Sequence, residues 1–142
     1  MTTFAPRHCD IWPWTKWKAN TYSSPIRAAN STALGMGFLG CSAGTPINSY
    51  IAWDVALDAG TWTLTVIYPK YTDQAIITPS LGGTNLATYD SRGVLSYNNV
   101  YQATGITVAT PGIYELRFTS TGTSGTQYVG TWQLITLTRT GA

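Results

Sequence analysis

Charged side chains are scarce in this chain. Only 10% of its 142 residues are Asp, Glu, Lys or Arg, against about 25% in ordinary soluble domains. The eight Lys and Arg residues are scattered, and the net charge is only +2. They form no basic run that would follow a phosphate backbone. We therefore predict that nucleic acid is not a partner, and that the weak charge repulsion between chains favours self-association.

Histidine and cysteine are almost absent, which limits metal chemistry. The single histidine, His8, excludes a cage of several histidines around zinc and a pair of catalytic histidines. Neighbouring residues of a strand point to opposite faces, so only His8 and Asp10 could face one ion. The spacing of Cys9 and Cys41 does not decide whether they pair, and two free thiols are the expected state in a cytoplasmic product. We predict no metal site.

The sequence also lacks a long apolar run. The segment after Met1 has no basic region followed by apolar residues, and no stretch approaches the ~20 apolar residues of a membrane span. We predict neither a signal peptide nor a membrane segment. On this reasoning the chain is made and folded in the cytoplasm.

Signatures of catalysis are missing as well. There is no Gly-x-Ser-x-Gly elbow, phosphate-binding loop or dinucleotide fingerprint. A glycosidase needs two carboxylates that flank one bond. Asp73 and Asp90 are the two acids placed in loops that could share a cleft, although such residues also cap turns. We predict that the chain is not an enzyme and uses no cofactor.

Alternating apolar residues, by contrast, are abundant. Ile51, Trp53, Val55 and Leu57 alternate with small or acidic residues, which is the period of a half-buried strand. The turn Asp58-Ala59-Gly60 follows, and the alternation resumes at Trp62, Leu64, Val66 and Tyr68. Two alternating runs around a glycine turn predict an antiparallel hairpin with one face in a core.

Turn signals recur at intervals of about 8–12 residues, which is typical of an all-β sandwich. We predict one domain, a single antiparallel β-sandwich or jelly roll of about eight or nine short strands. Residues 49–142 form its core. Residues 1–48 are an aromatic-rich and loop-rich N-terminal segment that packs on the core or extends from it.

The order of motifs from Tyr50 to Arg139 resembles a known group. The segments IAWDVALDAGTWTLTVIY, LGGTNLATYDS, ITVATPGIYELRFTSTG and YVGTWQLITLTRT are similar to jelly-roll domains, related to carbohydrate-binding modules, on surface proteins of tailed bacteriophages. The resemblance covers about two-thirds of the chain. It lies in the pattern of strands and turns rather than in functional residues, and the first 48 residues are outside it.

The resemblance implies a capsid decoration protein as the main hypothesis. Such a protein lies on the virion surface, binds the major capsid protein or other virion proteins, and is often a homotrimer. The candidate contact residues are Phe4, Trp12, Trp14 and Trp17 in the N-terminal segment. These rings also suit a platform for sugars, or a plug at one end of the sandwich.

The resemblance implies a glycan-binding domain, such as a receptor-binding fibre tip, as the alternative. An exposed aromatic ring would then stack on a sugar whose hydroxyls bond to polar neighbours. The candidates lie in loops predicted to share one end of the sandwich. They are Tyr71, Asp73, Tyr89, Asp90, Arg92, Tyr97 and Asn98.

Overall fold

A computed structural model of the protein describes residues 2–4, 16–18, 26–29, 37–42, 48, 50–72, 74–123 and 128–142. Within these ranges the regular structure is all β, which confirms the predicted class. The strands are β1 (Thr2–Phe4), β2 (Lys16–Lys18), β3 (Ile26–Ala29), β4 (Gly37–Ser42), β5 (Tyr50–Leu57), β6 (Gly60–Lys70), β7 (Ala75–Leu81), β8 (Thr84–Asn85), β9 (Tyr89–Asp90), β10 (Ser96–Val108), β11 (Gly112–Thr123), β12 (Tyr128–Trp132) and β13 (Leu134–Gly141). No helix of the described ranges is long and apolar enough to cross a membrane.

The strands form two main antiparallel sheets and one small sheet. The first sheet has the order β1-β13-β6-β10, and the second has the order β2-β5-β11-β7-β8, with β9 also paired to β7. The small sheet has the order β12-β4-β3. Among the described strands, β10 ends the first sheet and β8 ends the second.

The two predicted alternating strands are confirmed as β5 and β6, but the predicted hairpin pairing between them is wrong. β5 lies in the second sheet and β6 in the first, so the turn between them connects the two sheets. The alternate residues of both strands face the core, where Ile51, Trp53 and Leu64 are at most 2% exposed. Burying one large apolar side chain contributes about 1.5–3 kcal/mol, so this face is a main source of stability. The aromatic centre of the core is a trio of Trp53, Phe118 and Trp132, whose ring centroids are 5.5 to 6.5 Å apart.

The turn between β5 and β6 requires glycine. Gly60 has a φ of 146°, and a Cβ on it would lie 2.5 Å from the carbonyl oxygen of Gly141 and 2.6 Å from Nε of Arg139. Arg139 donates from Nη2 to the carbonyl oxygen of Ala59 at 2.6 Å. The turn is thereby joined to the C-terminal strand.

Four short strands lie in the described part of the first 48 residues. β1 pairs with β13 and β2 pairs with β5, so each adds one edge strand to a main sheet. Phe4 lies in β1 and Trp17 lies in β2, whereas Trp12 and Trp14 lie outside the described residues. The domain boundary between residues 48 and 49 stays a prediction, as does the role of these four aromatic residues at an interface.

Candidate functional site

Two loops meet where β6 ends and β10 begins. Lys70 pairs with Ser96 in the β6–β10 register, and Tyr71 forms a parallel bridge with Arg92. The backbone N–H of Tyr71 donates to the carbonyl oxygen of Ser91 at 3.0 Å, and that of Gly93 donates to the carbonyl oxygen of Tyr71 at 3.0 Å. We call residues 70–72 and 90–99 the loop cluster.

The loop cluster presents apolar side chains to solvent. Tyr71 is 45% exposed, Val94 is 85% exposed and Leu95 is 47% exposed. Tyr97 is half-buried beside them in sequence, and Asn98 is exposed. A group of exposed apolar side chains with polar neighbours is typical of a binding surface.

An ion pair supports one side of the loop cluster. Oδ1 of Asp90 accepts from the backbone N and from Nε of Arg92, both at 2.9 Å. Oδ2 accepts from Nη2 at 2.8 Å, so the pair is bidentate. The hydrogen bonds from Arg92 lower the pKa of the Asp90 carboxyl, with Lys70 adding a weaker effect. The pair therefore holds the arginine in one orientation at neutral pH and weakens only in acid, as pH falls through that lowered pKa.

A buried glutamine supports the other side. Gln133 is 0% exposed, and its Oε1 accepts from the backbone N–H of Asn98 at 3.0 Å while its Nε2 donates to Oδ1 of Asn98 at 2.7 Å. Its own N–H donates to the carbonyl oxygen of Ile67 in β6 at 2.8 Å. Asn98 has a φ of 61°, a backbone conformation that costs free energy and persists where the surroundings hold it. Gln133 thus fixes the position of Asn98.

Tyr89 requires a correction. The sequence places it among the sugar-contacting candidates, but its side chain is only 7% exposed. Tyr89 pairs with Ile77 in the β9–β7 ladder, so its ring points inward while Asp90 points outward. The ring lies 4.6 Å from Tyr68 and 4.8 Å from Tyr101 between centroids. Burial raises the pKa of the Tyr89 phenol well above its ordinary value.

Five of the seven predicted glycan residues therefore lie together, and Asp73 is outside the described residues. The five are Tyr71, Asp90, Arg92, Tyr97 and Asn98. Sequence reasoning missed Val94 and Leu95, although an apolar pair inside a polar loop is a detectable signal. It also missed Gln133, which lies between β12 and β13. Nothing in the neighbouring sequence indicates that this residue contacts Asn98, which is 35 positions away.

The arrangement suits binding rather than acid–base chemistry. Asp90 is paired with Arg92, and Glu115, on the second sheet, accepts from Nε of Arg117 at 2.6 Å. In the part of the chain that the structure describes, no group of three His, Cys, Asp or Glu side chains could hold a metal ion. The exposed apolar surface and the fixed polar groups can together hold a ligand that has an apolar face and hydrogen-bonding groups.

Several solved structures are similar to this chain in fold. A xanthan lyase from Paenibacillus matches with a TM-score of 0.71 and 21% identity, over 92% of this chain and 13% of that chain. Family 35 carbohydrate-binding modules match nearly end to end. The module from Clostridium thermocellum has a TM-score of 0.59 and 17% identity, over 96% of this chain and 98% of its own. The module from Paenibacillus barcinonensis has a TM-score of 0.58 and 21% identity, over 99% of this chain and 100% of its own.

These likenesses confirm the jelly-roll fold and the similarity to carbohydrate-binding modules in fold. This chain spans about an eighth of the xanthan lyase. No protein-family model and no curated protein matches the sequence.

Proposed function

We propose that this chain is a non-enzymatic glycan-binding domain and that the loop cluster is its binding surface. The observation that carries the proposal is the exposure of Tyr71, Val94 and Leu95 beside the fixed polar groups of Arg92 and Asn98. A sugar ring has an apolar C–H face and a rim of hydroxyls. The first packs on an aromatic or aliphatic side chain, and the second bonds to amide, guanidinium and carboxylate groups.

The rigidity of the polar groups supports the proposal. Arg92 is held by two side-chain hydrogen bonds to Asp90, and Asn98 is held by Gln133. Groups that are ordered before the ligand arrives lose little conformational entropy on binding, so more of each contact appears as affinity. The fold also supports it, since two neighbours that match over nearly their whole length are carbohydrate-binding modules.

The test is calorimetric titration with a panel of soluble oligosaccharides that separates neutral members from those containing uronic acids. For a glycan that binds, we expect Tyr71→Ala to weaken affinity about tenfold, because loss of about 1.4 kcal/mol of contact energy is a factor of ten. Val94→Asp should weaken it similarly, because a carboxylate would replace the apolar contact.

Ile113→Asp is the matched control. Ile113 is 71% exposed and lies in β11, beside the turn that follows β10, at the far end from the loop cluster. The Ile113→Asp variant should bind the glycan with unchanged affinity. The proposal fails if no member of the panel binds, or if Tyr71→Ala and Val94→Asp bind as tightly as Ile113→Asp.

Capsid decoration stays a prediction from the sequence pattern. None of the neighbours described above is a virion protein. The predicted homotrimer, the capsid partner and the location on a virion surface are tested by light scattering of the purified chain and by mixing it with undecorated capsids. A virion component can also bind a glycan. The outcomes of light scattering and capsid mixing therefore do not replace the calorimetric test of glycan binding.

A further inference from the structure

A concavity lies at the end of β10 away from the loop cluster. It has a volume of about 400 Å³ and opens between the edge of the first sheet and the edge of the second. Leu81 of β7, Thr84 of β8 and Leu86 just after β8 line one side, and Thr104 and Ile106 of β10 line the other, with Tyr114 beside them. We call it the edge groove.

Two glycines, Gly82 and Gly105, line the edge groove. Gly82 and Gly83, with φ values of 57° and 84°, form the tight turn between β7 and β8. Gly105, with a φ of 69°, lies in a break of the β10–β6 register between Ala103 and Ile106. Such a bulge bends an edge strand and leaves backbone groups unpaired. The groove is therefore built into both strand edges.

The Tyr114 ring is fixed at this site. Its hydroxyl donates to the carbonyl oxygen of Thr110 at 2.6 Å, and a Cβ on Gly82 would lie 2.9 Å from its Cδ1. The Gly82 backbone in turn donates to the carbonyl oxygen of Glu115 at 2.9 Å. A glycine at position 82 thus lets the turn lie directly against the ring.

The lining contains no ionisable carboxylate, amine, guanidinium or imidazole. Its apolar surface comes from leucine, isoleucine, valine and the tyrosine ring, and its polar atoms include the hydroxyls of Thr84, Thr104 and Thr107. A charged ligand would lose hydration here without gaining an opposite charge. A volume of about 400 Å³ lies within the range of small-molecule sites. The groove therefore fits an uncharged ligand that has an apolar face and hydroxyl groups.

We propose that the edge groove is a second glycan subsite that binds a neutral sugar unit. The proposal rests on the proposed function, because it assigns a second contact to the same class of ligand. Asn98 and Ile106 lie on one strand, about 25 Å apart at about 3.3 Å per residue. The two sites are therefore separate, and each can be removed without touching the other.

The test is a titration of the ¹⁵N-labelled chain with the same oligosaccharide panel. The readout is the chemical shift of each backbone amide. We expect a neutral oligosaccharide to shift the amides of residues 81–86 and 104–108 saturably below about 10 mM, which covers millimolar dissociation constants. Members in which every unit carries a carboxylate should not shift them. Tyr71→Ala should leave these shifts in place.

Thr84→Trp should abolish the shifts by filling the groove, and Thr104→Trp should do the same from the opposite wall if the first variant folds poorly. Gln102→Trp is the matched control, because Gln102 lies on β10 but bonds through Nε2 to Thr65 on the outer surface of the first sheet. It should retain the shifts.

Shifts confined to the loop cluster would overturn the second subsite and leave the proposed function intact. Shifts at the edge groove that persist in both filling variants would also overturn it. Shifts at the edge groove without any at the loop cluster would support the subsite and contradict the assignment of the loop cluster. No shifts with any panel member would overturn both.

Discussion

At the scale of single residues, Gln133 connects the core to the candidate site. Its side chain is fully buried, yet the oxygen and the nitrogen of its amide group each form a hydrogen bond with Asn98. We expect Gln133→Ala to lower the free energy of unfolding by about 1–3 kcal/mol, because it leaves polar groups of Asn98 without their partner. Urea unfolding would measure this change. Glycan affinity should fall as well, because Asn98 would lose its fixed position.

Gln102→Ala serves as the control for that substitution. Gln102 is exposed and makes a single side-chain bond, to Thr65 at 3.2 Å. Its loss should change stability by less than about 0.5 kcal/mol and should leave affinity alone. A Gln133→Ala protein with normal affinity would show that Asn98 does not contribute to binding.

At the scale of elements, the connection between β5 and β6 depends on the glycine in its turn. We expect Gly60→Ala to destabilise the protein by more than about 1 kcal/mol, because the methyl group would overlap Gly141 and Arg139 and the φ of 146° is unfavourable for alanine. Thermal unfolding would show a lower midpoint.

Gly83→Ala separates the two causes. Gly83 also has a positive φ, of 84°, but a Cβ there meets nothing within 4 Å. It should therefore show the conformational cost without the steric one. Equal destabilisation by the two substitutions would mean that the contact between the turn and β13 contributes nothing.

The same two strands show why part of the fold is predictable from sequence and why their sheet partners are not. In β5 and β6 the residue period matches the burial period, because one face packs on the core. The two-residue strands β8 and β9 carry no such period, since they are too short to show one. β8 pairs with β7 through the turn at Gly82-Gly83, whereas β9 pairs with the far end of β7, at Ile76 and Ile77.

The candidate site was predictable to a similar extent. Polar and aromatic residues in loops indicated Tyr71, Arg92 and Asn98, because turns concentrate at the ends of a sandwich. The inward ring of Tyr89 was not predictable, since its direction is set by pairing with Ile77. The contact between Gln133 and Asn98 joins residues 35 positions apart, and no local pattern encodes it.

At the scale of the whole molecule, the low charge of the sequence is lowered further by internal pairing. Arg92 pairs with Asp90 and Arg117 pairs with Glu115. The guanidinium of Arg117 also lies 3.8 Å from the ring centroid of Tyr50, where a cation contacts an aromatic face. Each of these two cations therefore has a partner within the part of the chain that the structure describes.

The stack of Tyr68, Tyr89 and Tyr101 makes the stability of the whole domain sensitive to alkali. Burial raises the pKa of all three phenols above 10.0 in the folded protein. Above about pH 10 the unfolded chain releases these protons while the folded chain retains them, so unfolding becomes more favourable as pH rises. Stability is thus fully present below that pH and falls above it, by up to about 1.4 kcal/mol per pH unit for each tyrosine.

Tyr89→Phe tests this origin of the alkaline sensitivity. The variant should be less stable at neutral pH, by about 1–3 kcal/mol, because Trp132 loses the hydroxyl that accepts from its Nε1 at 3.0 Å. Its stability should nevertheless fall less steeply between about pH 10 and pH 11.5, since one buried phenol no longer titrates. Urea unfolding at several pH values measures both effects. An alkaline slope as steep as that of the unmodified protein would mean that Tyr89 ionises as readily in the folded chain as in the unfolded one, and that the stack is open to solvent.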